Sequence, residues 1–298
     1  MNLTQLRYFN QTVKCKGVSA AALKLFVTQP AVTKQIKLLE EEVGNKLFAK
    51  RNNSFQLTTA GSILFDKSGE ILSLFDELED DLKNIDGTNF EKIIVGCGSL
   101  AARIIFPEII KKFLATYPNN DISIFECGSN EMNGLISNDT IDFGTGFKTI
   151  LKGSTIEFEK LFTSKFKVIC SENNIMAETD VIKIEDILEL PYISYSTNSV
   201  IINLLENYLP TENINKVLNA QYSETIIKYV QLNFGVSIVP DYILKLLKPT
   251  GIAIKELDVE LSIDFGLFKD KNRYLSPAHK KCIDLVKTYY KKSIESIL

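Results

Sequence analysis

Residues 18–44 read VSAAALKLFVTQPAVTKQIKLLEEEVG, and this stretch carries the clearest local pattern in the chain. Ser19 can cap a short helix whose alanines permit close packing. Thr28 can cap a second helix, which tolerates Pro30 in its first turn and ends at Gly44. Two helices joined by a turn of a few residues, the second studded with polar side chains, are typical of a helix-turn-helix. The stretch therefore predicts a unit that reads DNA.

The segments on either side extend this unit. A preceding helix is predicted from apolar residues at helical spacing, namely Leu3, Leu6, Phe9 and Val13. After the second helix, residues 50–58 read KRNNSFQLT, with a polar tip between extended flanks. This pattern is typical of a small hairpin, or wing. We therefore expect residues 1–58 to form an all-α winged helix-turn-helix domain.

Charge divides the chain near residue 60. Residues 1–60 contain nine Lys and Arg residues against three acids, whereas the remainder contains 25 basic and 34 acidic residues. The chain as a whole has a formal net charge of −3 and a pI of about 5.5, which taken alone argues mildly against nucleic-acid binding. The split instead indicates a small basic unit joined to a larger acidic one.

Composition excludes several classes of protein. The 298 residues are 45% hydrophobic and 24% charged, as in a globular protein with sizeable cores. Because no run approaches the ~18 apolar residues of a membrane span and the N-terminus lacks a basic region before an apolar run, we expect a cytoplasmic protein without signal peptide or membrane segment. Five scattered cysteines without a CxxC motif, and His279 as the single histidine, predict no metal site, no cofactor and no catalytic residue. His279 itself is expected at the surface.

A long helix is predicted to begin at Thr59. Four apolar residues fall on one seven-residue repeat, with charged residues on the other faces: Leu64, Ile71, Leu78 and Ile85. Such a repeat predicts a dimerisation helix over residues 59–88, and the alternative is a surface helix lying on its own domain. Residues 86–89 (DGTN) break the helix and are expected to form a linker.

From residue 90 onward, strand and helix patterns alternate. The strands KIIVGC (92–97), DISIFEC (121–127) and IDFGTGF (141–147) alternate with helical segments at 100–118 and 131–137. This order predicts a parallel sheet with helices on its faces. A second set of strands and helices begins at residue 161. Residues 90–298 are therefore expected to form two small α/β lobes.

The N-terminal residues carry a resemblance to a known family. SAAAL (19–23), VTQPAVTKQI (27–36), LEEEVG (39–44) and LTTAG (57–61) occur in register with the LysR-type transcriptional regulators, as do Leu3, Gln5, Leu6, Tyr8, Phe9, Leu47, Phe48 and Arg51. The match covers nearly every position of residues 1–61, and the remainder of the chain is similar to the family more loosely. The chain thus resembles a LysR-type regulator.

The resemblance implies a fold and a set of partners. A winged helix-turn-helix (1–58) and a dimerisation helix (59–88) would precede a two-lobed effector domain similar to periplasmic binding proteins (90–298). Lobe one would comprise residues 90–162 and 268–298, and lobe two residues 163–267, with hinges near Thr163 and Gly266. The implied partners are double-stranded promoter DNA, a small-molecule effector, other copies of the chain in homodimers and homotetramers, and RNA polymerase as a further candidate.

The second helix of the motif supplies the candidate DNA contacts. Short polar and cationic side chains in its first turns suit base edges and phosphates. Lys34 stands where the family usually has arginine, and it keeps the charge but loses the planar fork, which favours contact with a phosphate or a single base atom. The wing would approach the backbone or minor groove. The predicted DNA-binding residues are Thr28, Gln29, Pro30, Thr33, Lys34, Lys37, Arg51, Asn52 and Asn53.

The effector site is predicted at the strand ends of the α/β lobes, where open sheets bind ligands. Gly96-Cys-Gly-Ser-Leu-Ala101 follows a strand and opens a helix, which also resembles a dinucleotide fingerprint, although the acid Glu126 lies 28 residues beyond Gly98 rather than ~20. We favour a small anionic or polar effector, with an NAD-dependent enzyme as the alternative. Each serine is equally suited to capping a helix, and Arg103 is either a partner for an acidic ligand or a surface cation. The predicted effector-binding residues are Gly98, Ser99, Leu100, Ser129, Thr145 and Ser199.

Overall fold

The structure, a computed structural model, describes residues 1–51, 54–83, 91–151, 155–209 and 214–297. The predicted wing residues Asn52 and Asn53, the predicted dimerisation residue Ile85 and the predicted linker at 86–89 lie outside these residues. The described part divides into a helical N-terminal domain and a two-lobed α/β domain, which confirms the predicted fold class.

The N-terminal domain is a helix-turn-helix with a hairpin and a long helix. Asn2 and Gln5 form a capping box that begins the first helix, and Gly44 ends the third helix in a left-handed conformation with φ of +71°. The strands pair antiparallel as the predicted wing. The elements are α1 (Leu3–Lys14), α2 (Val18–Lys24), α3 (Gln29–Val43), β1 (Phe48–Arg51), β2 (Ser54–Leu57) and α4 (Thr59–Lys83).

Two small cores hold these helices together. Leu6, Phe9, Leu39 and Leu47 are buried together between α1, α3 and the hairpin, and the face of α4 that carries Leu64 and Leu72 packs against them. A second cluster of Ala22, Val32 and Ile36 joins α2 to α3. Burial of these apolar side chains fixes the angle at which α3 is presented to solvent.

Lobe one contains the three predicted parallel strands. β3 pairs in parallel with β4 and with β5, and helices connect them. The structure divides the predicted helix at 100–118 into two, because Pro107 lacks an N–H and begins a new helix. The elements are β3 (Lys92–Cys97), α5 (Ser99–Ile104), α6 (Phe106–Thr116), β4 (Asp121–Glu126), α7 (Met132–Ser137) and β5 (Phe143–Phe147).

One long strand continues from lobe one into lobe two. β6 (Ile156–Ser171) pairs with β12 up to Lys165 and then with β10 and β11 from Phe166 onward. The remaining elements are a 3-10 helix (Ile175–Glu178), β7 (Val181–Ile182), α8 (Ile184–Leu188), β8 (Tyr192–Tyr195), α9 (Val200–Leu205), β9 (Lys216–Ala220), α10 (Ser223–Gln231), β10 (Ser237–Pro240), α11 (Asp241–Leu247), β11 (Ile252–Leu257), β12 (Ser262–Asp270) and α12 (Pro277–Ile297).

The lobe boundary differs from the predicted one on the return strand. β12 pairs with β5 from Phe265 to Lys269, so residues 265–267, predicted in lobe two, lie in the lobe-one sheet. The pairing of β12 with β6 is irregular between Phe265 and Gly266, where a Cβ on Gly266 would lie 2.2 Å from the Glu159 carbonyl oxygen. A composition pattern cannot locate such a crossing, because it does not show which strands pair with β12. In the part of the chain described here, no helix is both long and apolar enough to cross a membrane.

Candidate effector cleft and nucleic-acid surface

The recognition helix α3 displays its polar face to solvent. Thr28, Gln29, Pro30, Lys34 and Lys37 are exposed, and Thr33 is half-buried. The Thr33 hydroxyl donates to the Gln29 carbonyl oxygen at 3.0 Å. Within the described ranges, neither lysine forms an ion pair. The β1 backbone extends to Arg51, whose side chain lies outside the described part of the structure. Five exposed predicted residues thus share one surface.

Glu40 fixes the far end of α3 to the wing. Its carboxylate accepts hydrogen bonds from the backbone N–H of Leu47 at 2.9 Å and from Lys46 Nζ at 2.7 Å. Burial alone would raise the pKa of Glu40, but these hydrogen bonds and the charge of Lys46 outweigh burial and lower it. The ionised carboxylate therefore sets the position of the wing relative to α3.

The exposed apolar residues of α4 differ from the four predicted dimerisation residues, because the first of those four, Leu64, is not among them. Leu64 packs into the helix-turn-helix core, so in this structure it serves its own domain rather than a partner. Ile71 and Leu78 are exposed as predicted. Leu74 and Leu82 join them, and together these four residues form an apolar stripe with spacings of three, four and four residues. A stripe of this spacing is suited to pairing with another helix.

A cleft with a cavity volume of about 120 Å³ lies between the lobes and unites the predicted effector residues. All six of them line it: Gly98, Ser99, Leu100, Ser129, Thr145 and Ser199. They reach the cleft because β3, β4 and β5 end on the same side of the lobe-one sheet, while Ser199 precedes α9 in lobe two.

The serines of the cleft also have structural partners. Ser129 Oγ accepts a hydrogen bond from the backbone N–H of Phe147 at 2.9 Å, and Ser199 Oγ caps α9 by accepting from Ile201 N–H at 3.2 Å. The helix-cap interpretation is therefore correct for Ser199. Each hydroxyl retains its proton as a donor toward the cleft.

Ser99 makes a contact that crosses the cleft. Its hydroxyl donates to Oε1 of Glu224, at the start of α10 in lobe two, over 2.5 Å. Arg103 Nη2 approaches the same oxygen at 3.2 Å, so this cation has a partner in lobe two. The Glu224 side chain is 21% exposed and that of Arg103 is 61% exposed. The two lobes are thus joined directly at one side of the cleft.

Buried hydroxyls lie at the other side. Thr145, which is 1% exposed, and Tyr242 both line the cleft, and the Tyr290 phenol lies beside them. Among the described residues, none of these three hydroxyls makes a hydrogen bond of normal length and angle. Burial raises the pKa of Tyr242 and of Tyr290, so both phenols stay protonated. Unsatisfied buried hydroxyls of this kind offer hydrogen bonds to a bound molecule or water.

Apart from Ser199, sequence reasoning did not find the lobe-two residues of the cleft. Glu224 and Tyr222 lie just after β9, and Tyr195 ends β8. The signal that identified Ser129, a polar residue at the end of a strand, applies equally to these positions. It was missed because β9 (Lys216–Ala220), short and flanked by polar residues, lacks a clear strand pattern.

The cysteines near the cleft are not reactive thiolates. Burial, with the nearby Cys127 and Glu126 as smaller contributions, raises the pKa of Cys97 to about 12. Burial and Glu131 likewise raise the pKa of Cys127 to about 12. Among the described residues, no group of three His, Cys, Asp or Glu side chains is arranged to hold a metal ion.

His279 is not a surface residue, contrary to our expectation. Its side chain is 14% exposed, and Nε2 lies 3.4 Å from Asp142 Oδ2 while Nδ1 lies 2.8 Å from Ser276 Oγ. Arg273 Nη2 reaches the other Asp142 oxygen at 2.5 Å. Burial would raise the pKa of Asp142, but hydrogen bonds from His279 and Ile94 N–H and the Arg273 charge lower it. A position after proline at a helix start does not reveal these distant partners.

Comparison with known proteins agrees with both parts of the fold. The family model "Bacterial regulatory helix-turn-helix protein, lysR family" matches residues 3–62, and "LysR substrate binding domain" matches residues 87–291. The HTH-type transcriptional regulator YtlI of Bacillus subtilis (strain 168) is 28% identical over 240 residues, which span 80% of this chain and 77% of YtlI.

Solved structures share the fold over nearly the whole chain. Full-length OxyR from Pseudomonas aeruginosa has a TM-score of 0.64 at 17% identity, covering 98% of this chain and 95% of OxyR. Full-length CbnR, solved in complex with its target DNA, has a TM-score of 0.54 at 17% identity, covering 97% of this chain and 100% of CbnR.

Proposed function

The chain belongs to the LysR family of transcriptional regulators, and from this membership we propose that it binds promoter DNA under the control of a small effector held between its two lobes. The observation that carries the proposal is the exposed polar face of α3 on a domain whose sequence matches the family helix-turn-helix in register. The cleft lined by the six predicted residues supports the sensing half of the proposal. We further propose that the protein acts in the cytoplasm.

We propose separate roles for the exposed residues of α3. Gln29 is suited to a bidentate contact with adenine. Because the Thr33 hydroxyl is bonded to the Gln29 carbonyl, its methyl group is suited to contact a thymine methyl. Lys34 and Lys37 would neutralise phosphates, which makes affinity dependent on salt. Thr28 and Pro30 begin the helix and bring its N-terminus toward the phosphate backbone. The wing, with Arg51, would approach the backbone beside the groove.

For assembly, we propose a homodimer through α4 that pairs again into a tetramer. The stripe of Ile71, Leu74, Leu78 and Leu82 supports a helix pair, because four exposed large apolar residues in a row are costly in water. A two-fold dimer would read two half-sites about one helical turn, or a multiple of it, apart. RNA polymerase remains a candidate partner of the DNA-bound assembly.

Control of DNA binding would come from a shift between lobe arrangements. The Ser99–Glu224 hydrogen bond joins the lobes at the cleft, so a ligand entering there changes the contacts that hold them. A ligand shifts this equilibrium only by its difference in affinity for the two arrangements. The effector itself is proposed to be small, and anionic or polar as its sequence positions suggest.

The alternative function, an NAD-dependent enzyme, has less support. YtlI, the relative described above, is a transcriptional regulator, and 28 residues rather than about 20 separate Gly98 from Glu126 in the sequence. An enzyme of this class would bind NAD and change absorbance at the nicotinamide band in the presence of its substrate.

The proposal is tested on duplex DNA from the region upstream of the protein's own gene, since such regulators commonly act near their own genes. Fluorescence anisotropy of the full chain should give tighter binding to this duplex than to a shuffled duplex of equal length and composition. Equal affinity for both duplexes at physiological salt would contradict the proposed function.

A further inference from the structure

The cleft has an unexpected charge. Among the described residues that line it, Glu224 alone carries a formal charge at neutral pH, and that charge is negative. Both recorded contacts of its carboxylate, from Ser99 and Arg103, use Oε1. Oε2 therefore retains its acceptor capacity. Arg103, the cation that contacts Glu224, is mostly exposed and is not part of the lining.

Several N–H and O–H groups of the cleft already have partners, although the hydroxyl protons of Ser129 and Ser199 stay free to donate. The backbone N–H of Gly128, at the end of β4, donates to Glu131 Oε2 at 2.7 Å. The N–H groups of Phe147 and Ile201 donate to Ser129 and Ser199, as described above. The Ser99 hydroxyl donates to Glu224. An anionic ligand that used the occupied donors would have to break these bonds, and an anion anywhere in the cleft would approach the Glu224 carboxylate, which costs free energy.

The surroundings of the cleft reinforce the negative potential. Burial raises the pKa of Tyr222, which lines the cleft, and the carboxylates of Glu131, Glu126 and Glu224 raise it further. Three carboxylates therefore lie near the Tyr222 phenol, whereas Arg103 contributes one positive charge. A cleft with this excess of negative charge attracts cations and repels anions.

A second observation points to a ligand at the same place. The Thr145 hydroxyl lines the cleft, is almost fully buried and, among the described residues, has only a poorly aligned contact with the Tyr290 phenol. A hydroxyl buried without a partner carries an unmet desolvation cost, which a ligand oxygen or a water would relieve. Phe147 and Phe265, whose rings meet edge to face at 5.4 Å, supply apolar surface beside it.

We propose that the effector is a small organic molecule with a protonated amine, which binds the Glu224 carboxylate in the cleft. This inference rests on the proposed function. It changes one part of that proposal, because a cationic or zwitterionic effector replaces the anionic one suggested by the sequence. The ammonium group would take Oε2 and compete with Ser99 for Oε1. An uncharged oxygen atom of the same ligand would accept a hydrogen bond from the Thr145 hydroxyl. The apolar part of the ligand would lie against Phe147 and Phe265.

Binding of the amine would directly change the contact between the two lobes. In the structure, Ser99 of lobe one and Glu224 of lobe two are bonded to each other. An ammonium ion has three donors, so it can satisfy Glu224 and release the Ser99 hydroxyl. The contact between lobes would then pass through the ligand, and occupancy of the cleft would set the distance between them.

The test uses isothermal titration calorimetry and thermal shift on the full chain with matched pairs of probes. Benzylamine, 1,4-diaminobutane and leucinamide are compared with benzoate, succinate and 4-methylpentanoate, which have similar bodies but carboxylates in place of amines. At least one amine should bind, while the carboxylates leave the unfolding temperature unchanged. Glu224→Gln should weaken that binding by about tenfold or more, since it removes a charge-assisted hydrogen bond.

Two variants control for indirect effects. Glu256→Gln removes a carboxylate from the surface of the same lobe, where it pairs with Lys167, and should leave amine binding unchanged. Glu224→Asp keeps the charge on a shorter side chain and should bind more weakly than wild type but more tightly than Glu224→Gln. The unfolding temperature of each variant without ligand verifies that it folds.

Three results would overturn the proposal: no amine of the panel binds wild type, amines bind Glu224→Gln as tightly as wild type, or carboxylates bind while amines do not. In the last case the chain would still contain an effector domain, but its ligand would belong to another chemical class. Failure of the proposed function is measured separately, by the affinity of the ligand-free protein for its promoter duplex, so the two failures are distinguishable.

Discussion

Lys24, at the end of helix α2, lies 3.2 Å from the carboxylate of Asp139, which follows α7 in lobe one. Lys14 at 3.5 Å and Arg273 Nη1 at 3.6 Å approach the same carboxylate. Asp139 adopts a left-handed backbone with φ of +54°, at the turn after α7. One acid therefore contacts two cations of the helix-turn-helix domain and one of the sensor domain.

We predict that Asp139→Ala loosens the contact between the two domains without unfolding either. Because these ion pairs are partly exposed, the loss in the free energy of unfolding should be below about 1 kcal/mol. Hydrogen–deuterium exchange should increase in α2 and in the turn after α7. The matched change Asp180→Ala, at a fully exposed acid of lobe two, should leave exchange in α2 unaltered. Unchanged exchange in Asp139→Ala would argue against a stable contact.

The buried carboxylate Asp142 predicts a loss of stability in acid. Its pKa is lower in the native state than the unfolded value of about 3.9, so it stabilises the fold above that value and loses this contribution as the pH falls through the native pKa. Asp142→Asn should cost about 3–5 kcal/mol at pH 7 because Arg273 and His279 lose their buried partner. It should also flatten the dependence of the urea midpoint on pH below about 4.

Exposed Asp121 on β4 provides the control for this measurement. Asp121→Asn removes a carboxylate from the same lobe without disturbing a buried pair, and its urea midpoint at pH 7 should match wild type. If Asp142→Asn has the stability of wild type at pH 7, the buried ion pair contributes less than its geometry implies.

The buried cysteines predict a regulator that does not sense oxidants through its thiols, although its fold is similar to that of OxyR. With a pKa of about 12, Cys97, Cys127 and Cys282 hold about one thiolate in ten thousand at pH 8. Titration of the native protein with a disulfide reagent should therefore give one fast thiol, Cys15, which is half-buried. Cys15→Ser should abolish the fast phase, and all thiols should react in denaturant. Fast reaction of several native thiols would contradict this account.

The apolar stripe of α4 predicts the effect of a charge at its centre. Leu78→Asp places a carboxylate where a partner helix would pack, so sedimentation should show monomers. Ile175→Asp introduces the same charge at an exposed apolar residue of lobe two and should leave the assembly unchanged. An unaltered dimer in Leu78→Asp would show that α4 does not form the interface.

The sequence was sufficient to predict the helix-turn-helix and half of the cleft. Caps, helical spacing and the resemblance located α3 and its exposed residues, because these features depend on neighbours within a few positions. Ser99, Ser129 and Thr145 were found because strand ends of a parallel sheet meet at one edge.

Long-range relations could not be obtained in this way. The Ser99–Glu224 contact joins residues 125 positions apart, and Asp142, the acidic partner of His279, lies just before β5 and far from His279 in the sequence, so no local pattern contains these pairs. Leu64 has the heptad spacing of a dimer residue, but the packing of α4 against α1 determines which apolar residues stay exposed. The sign of the cleft's charge required the position of Glu224.

Binding of wild type and of Lys34→Ala to the promoter duplex across a series of salt concentrations tests the central claim most directly. If α3 reads DNA, wild-type affinity falls steeply with salt, and Lys34→Ala binds about tenfold more weakly with a log–log slope shallower by about 0.9, as one phosphate contact is lost. Lys228→Ala, at a lysine on α10 of lobe two, should behave as wild type. Equal affinity and slope for Lys34→Ala and wild type, with little effect of salt, would contradict the account.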